Sequence, residues 1–180
     1  MLFFFLGPLL RLAVAVSAQE DGTQFYGYGS GVLGYPLFYS DGSAYVGIAP
    51  PSNAAFSTNI TLVSQNADDG SFTAYPVDNT TSSNWTTPKL AIDNNSGAFE
   101  PVKFSSGDNA TLTTTGFDLW GTLLVWVSDS REITTKWYAE PVDDRNKTWA
   151  LKWNTDNSLS STAVPVVLKN LPPSTRKARR

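Results

Sequence analysis

A chain of 180 residues with neither histidine nor cysteine can run only a narrow set of reactions. Ser-His-Asp and Cys-His triads are excluded, as are zinc sites built on imidazole or thiolate. Carboxylate chemistry remains, with Tyr or Lys as acid or base, and calcium held by oxygen ligands. Asp118, Asp129, Glu132 and Glu140 fall near one another along the chain and come closest to a catalytic group. Solvated strand ends account for them more simply. Asp68-Asp69 and Asp143-Asp144 are adjacent acids in turns, and adjacency is not the opposed geometry that glycoside hydrolysis needs. Asp93-Asn94-Asn95-Ser96-Gly97 resembles half a calcium loop but lacks the downstream acidic ligand, and such Asx-Gly runs form turns. No catalytic residue, cofactor or metal site is assigned on these grounds.

The aromatic side chains offer a different chemistry. Rings laid flat against the C–H faces of sugars make a carbohydrate platform, and the candidate binding residues are Tyr138, Lys136, Trp85, Tyr28 and Tyr35. Tyr28 and Tyr35 belong to a Gly/Tyr-rich stretch, Phe25 to Tyr39, whose plainer reading is an N-terminal strand with glycines at close contacts. Trp85 stands in a polar loop, 78–88, and is the tryptophan least expected in a core. Tryptophans at strand parity are more simply core residues.

Lys136 and Tyr138 lie in the longest apolar run after the N-terminus, Gly116 to Pro141, which holds Trp120, Trp126 and Trp137. This run reads as a β-hairpin turning at Asp129 to Glu132, with Ser128 opposite Ile133, Leu124 opposite Trp137 and Trp126 opposite Thr135. In that register Trp120, Leu124, Trp126, Ile133 and Trp137 share a core face. The opposite face carries Leu123, Val125 and Val127 beside Lys136 and Tyr138, and is the first place to look for a ligand.

Strands are predicted elsewhere from alternation and turn chemistry. Asp41-Gly42 suits a tight hairpin turn between LFY and AYVGIA. Phe56 to Gln65 alternates, with Ile60 and Leu62 on one face. Asp68-Asp69-Gly70 is a turn before the strand Ser71 to Val77. Lys89 to Ile92, Pro101 to Phe104 and Ala110 to Thr115 read as short strands. Thr148 to Trp153 sends Trp149, Leu151 and Trp153 one way, and Ala163 to Lys169 carries Pro165, a mark of a sheet edge. About ten short strands without a helix predict an all-β fold, a single-domain antiparallel β-sandwich over residues 25–173. Residues 19–24 form an N-terminal segment, and 174–180 a basic disordered tail.

Residues 1–18 read as a secretory signal peptide, an apolar stretch closed by Val16-Ser17-Ala18. Six Asn-x-Ser/Thr sequons follow, at Asn59, Asn79, Asn84, Asn94, Asn109 and Asn146. At Asn59, Asn109 and Asn146 the asparagine falls on the polar parity of its predicted strand, as a glycan requires. Setting aside Arg11 and the tail residues Arg176, Lys177, Arg179 and Arg180 leaves 8 of the 13 basic residues against 16 acidic ones. An acidic body argues against nucleic acid as a partner, and against a membrane once the leader is removed.

PLFYSDGSAYVG, from Pro36 to Gly47, and GFDLWGTLLVWV with KWYAEPV and WALKW, from Gly116 to Trp153, resemble small secreted glycoproteins of filamentous ascomycete fungi. The resemblance covers about Phe25 to Pro173, implies fungal origin and secretion, and lends no active-site residues. The leading expectation is therefore a secreted, N-glycosylated protein with a binding or structural role in the cell wall or extracellular medium. Its partners are cell-wall polysaccharide or another extracellular protein. The alternatives are a small secreted enzyme, carbohydrate-active or processing secondary metabolites with carboxylate or Tyr chemistry, and a secreted effector.

Overall fold

The computed structural model describes residues 22–66, 68–77, 85–107, 109–143, 147–155 and 161–174. The expected signal peptide lies outside those residues, as do Asn79, Asn84 and Asn146 and all but the first residue of the basic tail.

The described residues form fourteen strands and no helix. The first five are β1 (Tyr26–Gly29), β2 (Val32–Ser40), β3 (Ser43–Gly47), β4 (Ser57–Asn66) and β5 (Ser71–Pro76). Short strands follow as β6 (Lys89–Ala91), β7 (Phe99–Pro101) and β8 (Lys103–Ser105). The remainder are β9 (Phe117–Trp120), β10 (Leu123–Val127), β11 (Ile133–Thr134), β12 (Trp137–Asp143), β13 (Thr148–Asn154) and β14 (Val164–Lys169). The all-β expectation holds.

Local turn chemistry explains the hairpins. Asp41 and Gly42 adopt φ of 44° and 81°, the paired positive values of a two-residue hairpin turn, and set Ser40 opposite Ser43. The Asp41 carboxylate also accepts hydrogen bonds from the N–H groups of Ala55 and Phe56, both at 2.8 Å, which fixes the approach to β4. β4 alternates as predicted, with Ile60 and Leu62 buried and Asn59 exposed.

The sheet closes on itself, and here the sandwich expectation is corrected. All ladders are antiparallel, and a path of ten strands runs β1-β2-β4-β5-β6-β8-β3-β13-β12-β14. β14 then pairs back onto β1, Tyr26 opposite Lys169 through Gly29 opposite Val166, and the ring becomes a barrel. In-out alternation along a strand is common to sandwiches and barrels, so parity alone did not separate them. Pro165 is likewise no edge marker. Val164 and Pro165 pair with β12, and from Val166 the strand pairs with β1, so the proline stands where β14 changes partners. Ala110 to Thr115 is not a strand, since its only ladder contact is a bridge from Thr113 to Ile92.

The tryptophan hairpin differs most from its prediction. The run 116–127 contains its own turn at Gly121-Thr122, where Gly121 has φ of 64° and sets Trp120 opposite Leu123. Beyond it Val127 lies opposite Ile133 and Trp126 opposite Thr134, one residue away from the predicted register. Trp120 and Ile133 are consequently 64% and 48% exposed, and Val125, placed on the open face, is buried. Leu124 and Trp137 are core residues as expected, and Trp126 packs partly buried against the core. Trp137 belongs to β12, which leaves the hairpin and pairs instead with β13 and β14. Its ring meets Trp153 edge-on at 4.6 Å and stacks on Phe117 at 6.3 Å.

Two substitutions test this placement. Trp137→Ala should cost about 3–5 kcal/mol in urea unfolding, as a large core truncation does. Trp120→Ala should stay within about 0.5 kcal/mol of the parent, as an exposed position does. Equal losses would mean that the Gly121-Thr122 turn is misplaced.

Candidate functional site

β12 and β13 alternate in step. Trp137, Ala139, Leu151 and Trp153 point inward, which leaves Tyr138, Glu140, Ala150 and Lys152 on the outer face. The ladders align these into a row across four strands: Pro165, Tyr138, Lys152 and Pro101. Phe99 of β7 completes the group. Its ring meets that of Tyr138 edge-on at 5.4 Å, and the Lys152 ammonium stands 4.4 Å from its centre. Lys152 also reaches Glu140 Oε2 at 3.2 Å, and Glu140 Oε1 accepts from Thr162 Oγ1 at 3.4 Å. The Lys152 side chain is mostly covered, at 16% exposure, while Glu140 is 36% exposed, and the pair orients the Lys152 ammonium across the outer face.

Pro101 continues the row into a cleft of about 430 Å³. Pro101, Phe104 and Leu112 give it apolar wall, while Asp93, Glu100 and Lys103 bring charge. Lys103 Nζ donates to Ser43 Oγ at 2.9 Å, which pins that ammonium beside the hairpin turn at Gly42. Asp93 Oδ1 accepts from the N–H and the Nδ2 of Asn95, at 3.0 and 2.7 Å, so the supposed half calcium loop is a local turn. Asn109 lines the rim of the cleft, and its Oδ1 accepts from the N–H and Oγ1 of Thr111. The arrangement sets two neighbouring rings, an ammonium and a carboxylate beside a mixed cleft, groups able to contact apolar and polar parts of one ligand.

The predicted binding residues do not gather into one site. Tyr138 stands in the row. Lys136 lies two residues before it, part-buried, with Nζ 3.4 Å from the Thr155 carbonyl. Tyr28 is at the far closure of the barrel, its hydroxyl donating to the Leu171 carbonyl at 2.7 Å. Tyr35 stacks on Trp149 at 5.2 Å and packs against the core, so it is not a platform. Trp85 is also no exposed ring, since it packs against the core beside Tyr39 at 5.0 Å and Phe56 at 6.3 Å. Of the carboxylate candidates, Asp118, Asp129 and Glu132 are exposed and only Glu140 belongs to the row. Phe99, Lys152, Asp93, Glu100 and Lys103 were missed. The alternation of Trp149, Leu151 and Trp153 already turns Lys152 outward, but nothing local signals that Phe99 will pair beside it.

Asn59 and Asn109 are exposed and Asn94 is half-buried. The parity argument holds at Asn59 but not at Asn109, where the expected strand is absent. Compared with known protein families, curated proteins and solved structures, the chain matches none.

Tyr45 flanks the row, stacked on Phe38 at 5.6 Å, and its phenol is raised above the ordinary value of 10.0 by burial and then by the nearby Asp41 carboxylate. A raised value means that the native state holds the proton more tightly. The associated stability is therefore present below pH 10 and is lost as the pH rises through the native value. Alkaline titration followed by tyrosinate absorbance should show a late component that Tyr45→Phe reduces, the remainder belonging to Tyr28, which burial and then Tyr26 also raise.

Proposed function

We propose that this chain is a secreted, N-glycosylated fungal protein that binds polysaccharide of the cell wall or extracellular medium through the Tyr138–Phe99–Lys152 row and the adjoining cleft. The observation that carries the reading is the junction of the two. A pair of part-exposed rings with an oriented ammonium adjoins, through Pro101, a cleft with apolar wall and polar rim. The leader-like residues 1–18 and the six sequons support secretion. The acidic body suits a neutral polymer better than nucleic acid.

Pull-down of the secreted protein on chitin, β-glucan and mannan tests this. Retention on at least one polymer is expected, with Tyr138→Ala and Phe99→Ala each weakening it about tenfold, the loss of roughly 1.4 kcal/mol. Lack of retention on all three, or retention indifferent to both substitutions, would sink the polysaccharide reading and leave an extracellular protein as partner.

A second reading rests on Asp93 and Glu100 lining the same cleft. Two carboxylates facing one bound sugar are the groups that an acid–base glycosidase uses. If the protein is such an enzyme, polysaccharide incubated with it releases reducing ends, and both Asp93→Asn and Glu100→Gln abolish the release. Binding without release assigns the cleft to recognition alone.

A further inference from the structure

Asn59 projects from the outer face of β4 between two apolar neighbours. The ladder sets Phe38 of β2 opposite it, and on its other side the Val77 N–H donates to the Asn59 carbonyl at 2.9 Å. Phe38, Ile48, Ala49 and Pro50, with β4 around Asn59, line a second pocket of about 170 Å³. Ile48 is 66% exposed and Val77 50%, so two large apolar side chains lie open to water on either side of a sequon asparagine. Neither belongs to the Tyr138 row. A pyranose ring has an apolar C–H face, and a sugar joined to Asn59 is held at the pocket by its own linkage, so it docks without the entropy cost of free association.

We propose that Asn59 carries an N-glycan whose first N-acetylglucosamine lies on this pocket, its C–H face over the exposed Ile48 and Pro50, with the buried Phe38 behind them. The sugar covers apolar surface that the chain leaves open and acts as part of the fold. The inference rests on the secreted reading of the chain but not on polysaccharide binding. Asn109 differs, because it borders a cleft whose apolar residues, Pro101, Phe104 and Leu112, are interspersed with the charges of Asp93, Glu100 and Lys103.

The test uses the full-length chain secreted from a eukaryotic host, with peptide mass spectrometry for occupancy and thermal unfolding for stability. Asn59 should be occupied. Asn59→Gln should lower Tm by about 2–4 °C. An endoglycosidase that leaves one N-acetylglucosamine on each site should preserve Tm. Ile48→Ser isolates the sugar contact: it should lower Tm in the glycosylated protein and have little effect in the Asn59→Gln background. Sugar at other sequons with none at Asn59, or an Ile48→Ser shift equal in both backgrounds, overturns this inference alone. Secretory expression with no sugar at any sequon overturns it together with the secreted reading.

Discussion

The indole of Trp137 holds the two parts of this protein together. Its Nε1–H donates to the Leu124 carbonyl at 3.0 Å, and its ring lies between Phe117 and Trp153. β9 and β10 otherwise join the barrel by a few backbone contacts: Leu123 opposite Lys169, the Asn170 N–H on the Thr122 carbonyl, and the Gly116 and Phe117 N–H groups on the Asp69 and Gly70 carbonyls. A ring of this size buries about 150–250 Å², roughly 4–6 kcal/mol at about 25 cal/mol per Å². The hydrogen bond adds about 1 kcal/mol and gives the indole a single orientation. With no cysteine in the chain, burial of this kind must supply what a disulfide supplies elsewhere. The same ring fixes the inward parity of β12, and so decides that Tyr138 and Glu140 face solvent.

How much of the fold was legible follows from the range of each interaction. Asp41-Gly42, the alternation of Ile60 and Leu62, and the Trp149, Leu151, Trp153 series are local, and all three are found in the structure. Gly121 lies inside an apolar run that reads equally well as one continuous strand. Overlooking its turn displaced Trp120 from surface to core, while a five-residue loop, 128–132, in place of the four-residue turn moved the 126–134 register by one residue. Barrel closure depends on Tyr26 finding Lys169. No periodicity within either segment encodes that pairing. The deviations thus come from tertiary pairing and not from misread propensity.

The candidate site divides in the same way. Tyr138 and the outward direction of Lys152 follow from period-two alternation. Phe99 reaches them only because β7 adds to the edge of the β13 C-terminal half, Asn154 opposite Phe99, across more than fifty residues of chain. Trp85 illustrates the opposite error. A polar sequence neighbourhood suggested an exposed ring, yet Tyr39, Phe56 and Phe104 form an aromatic cluster that receives it. Polarity of flanking residues describes the loop backbone, while a single large side chain goes where a complementary surface exists.

Closure by the first and last strands also sets the order of events during synthesis. The β1–β14 ladder cannot form before residues 166–169 have left the ribosome, so the growing chain holds an open sheet until they emerge. β14 has to bridge β12, β1 and β10 at once, and their edges wait unpaired until it arrives. Such non-local pairing makes folding slow and leaves sticky intermediates on the way. The finished ring, by contrast, seals the β1 and β14 edges against each other, so the period of danger for this chain is its assembly and not its working life.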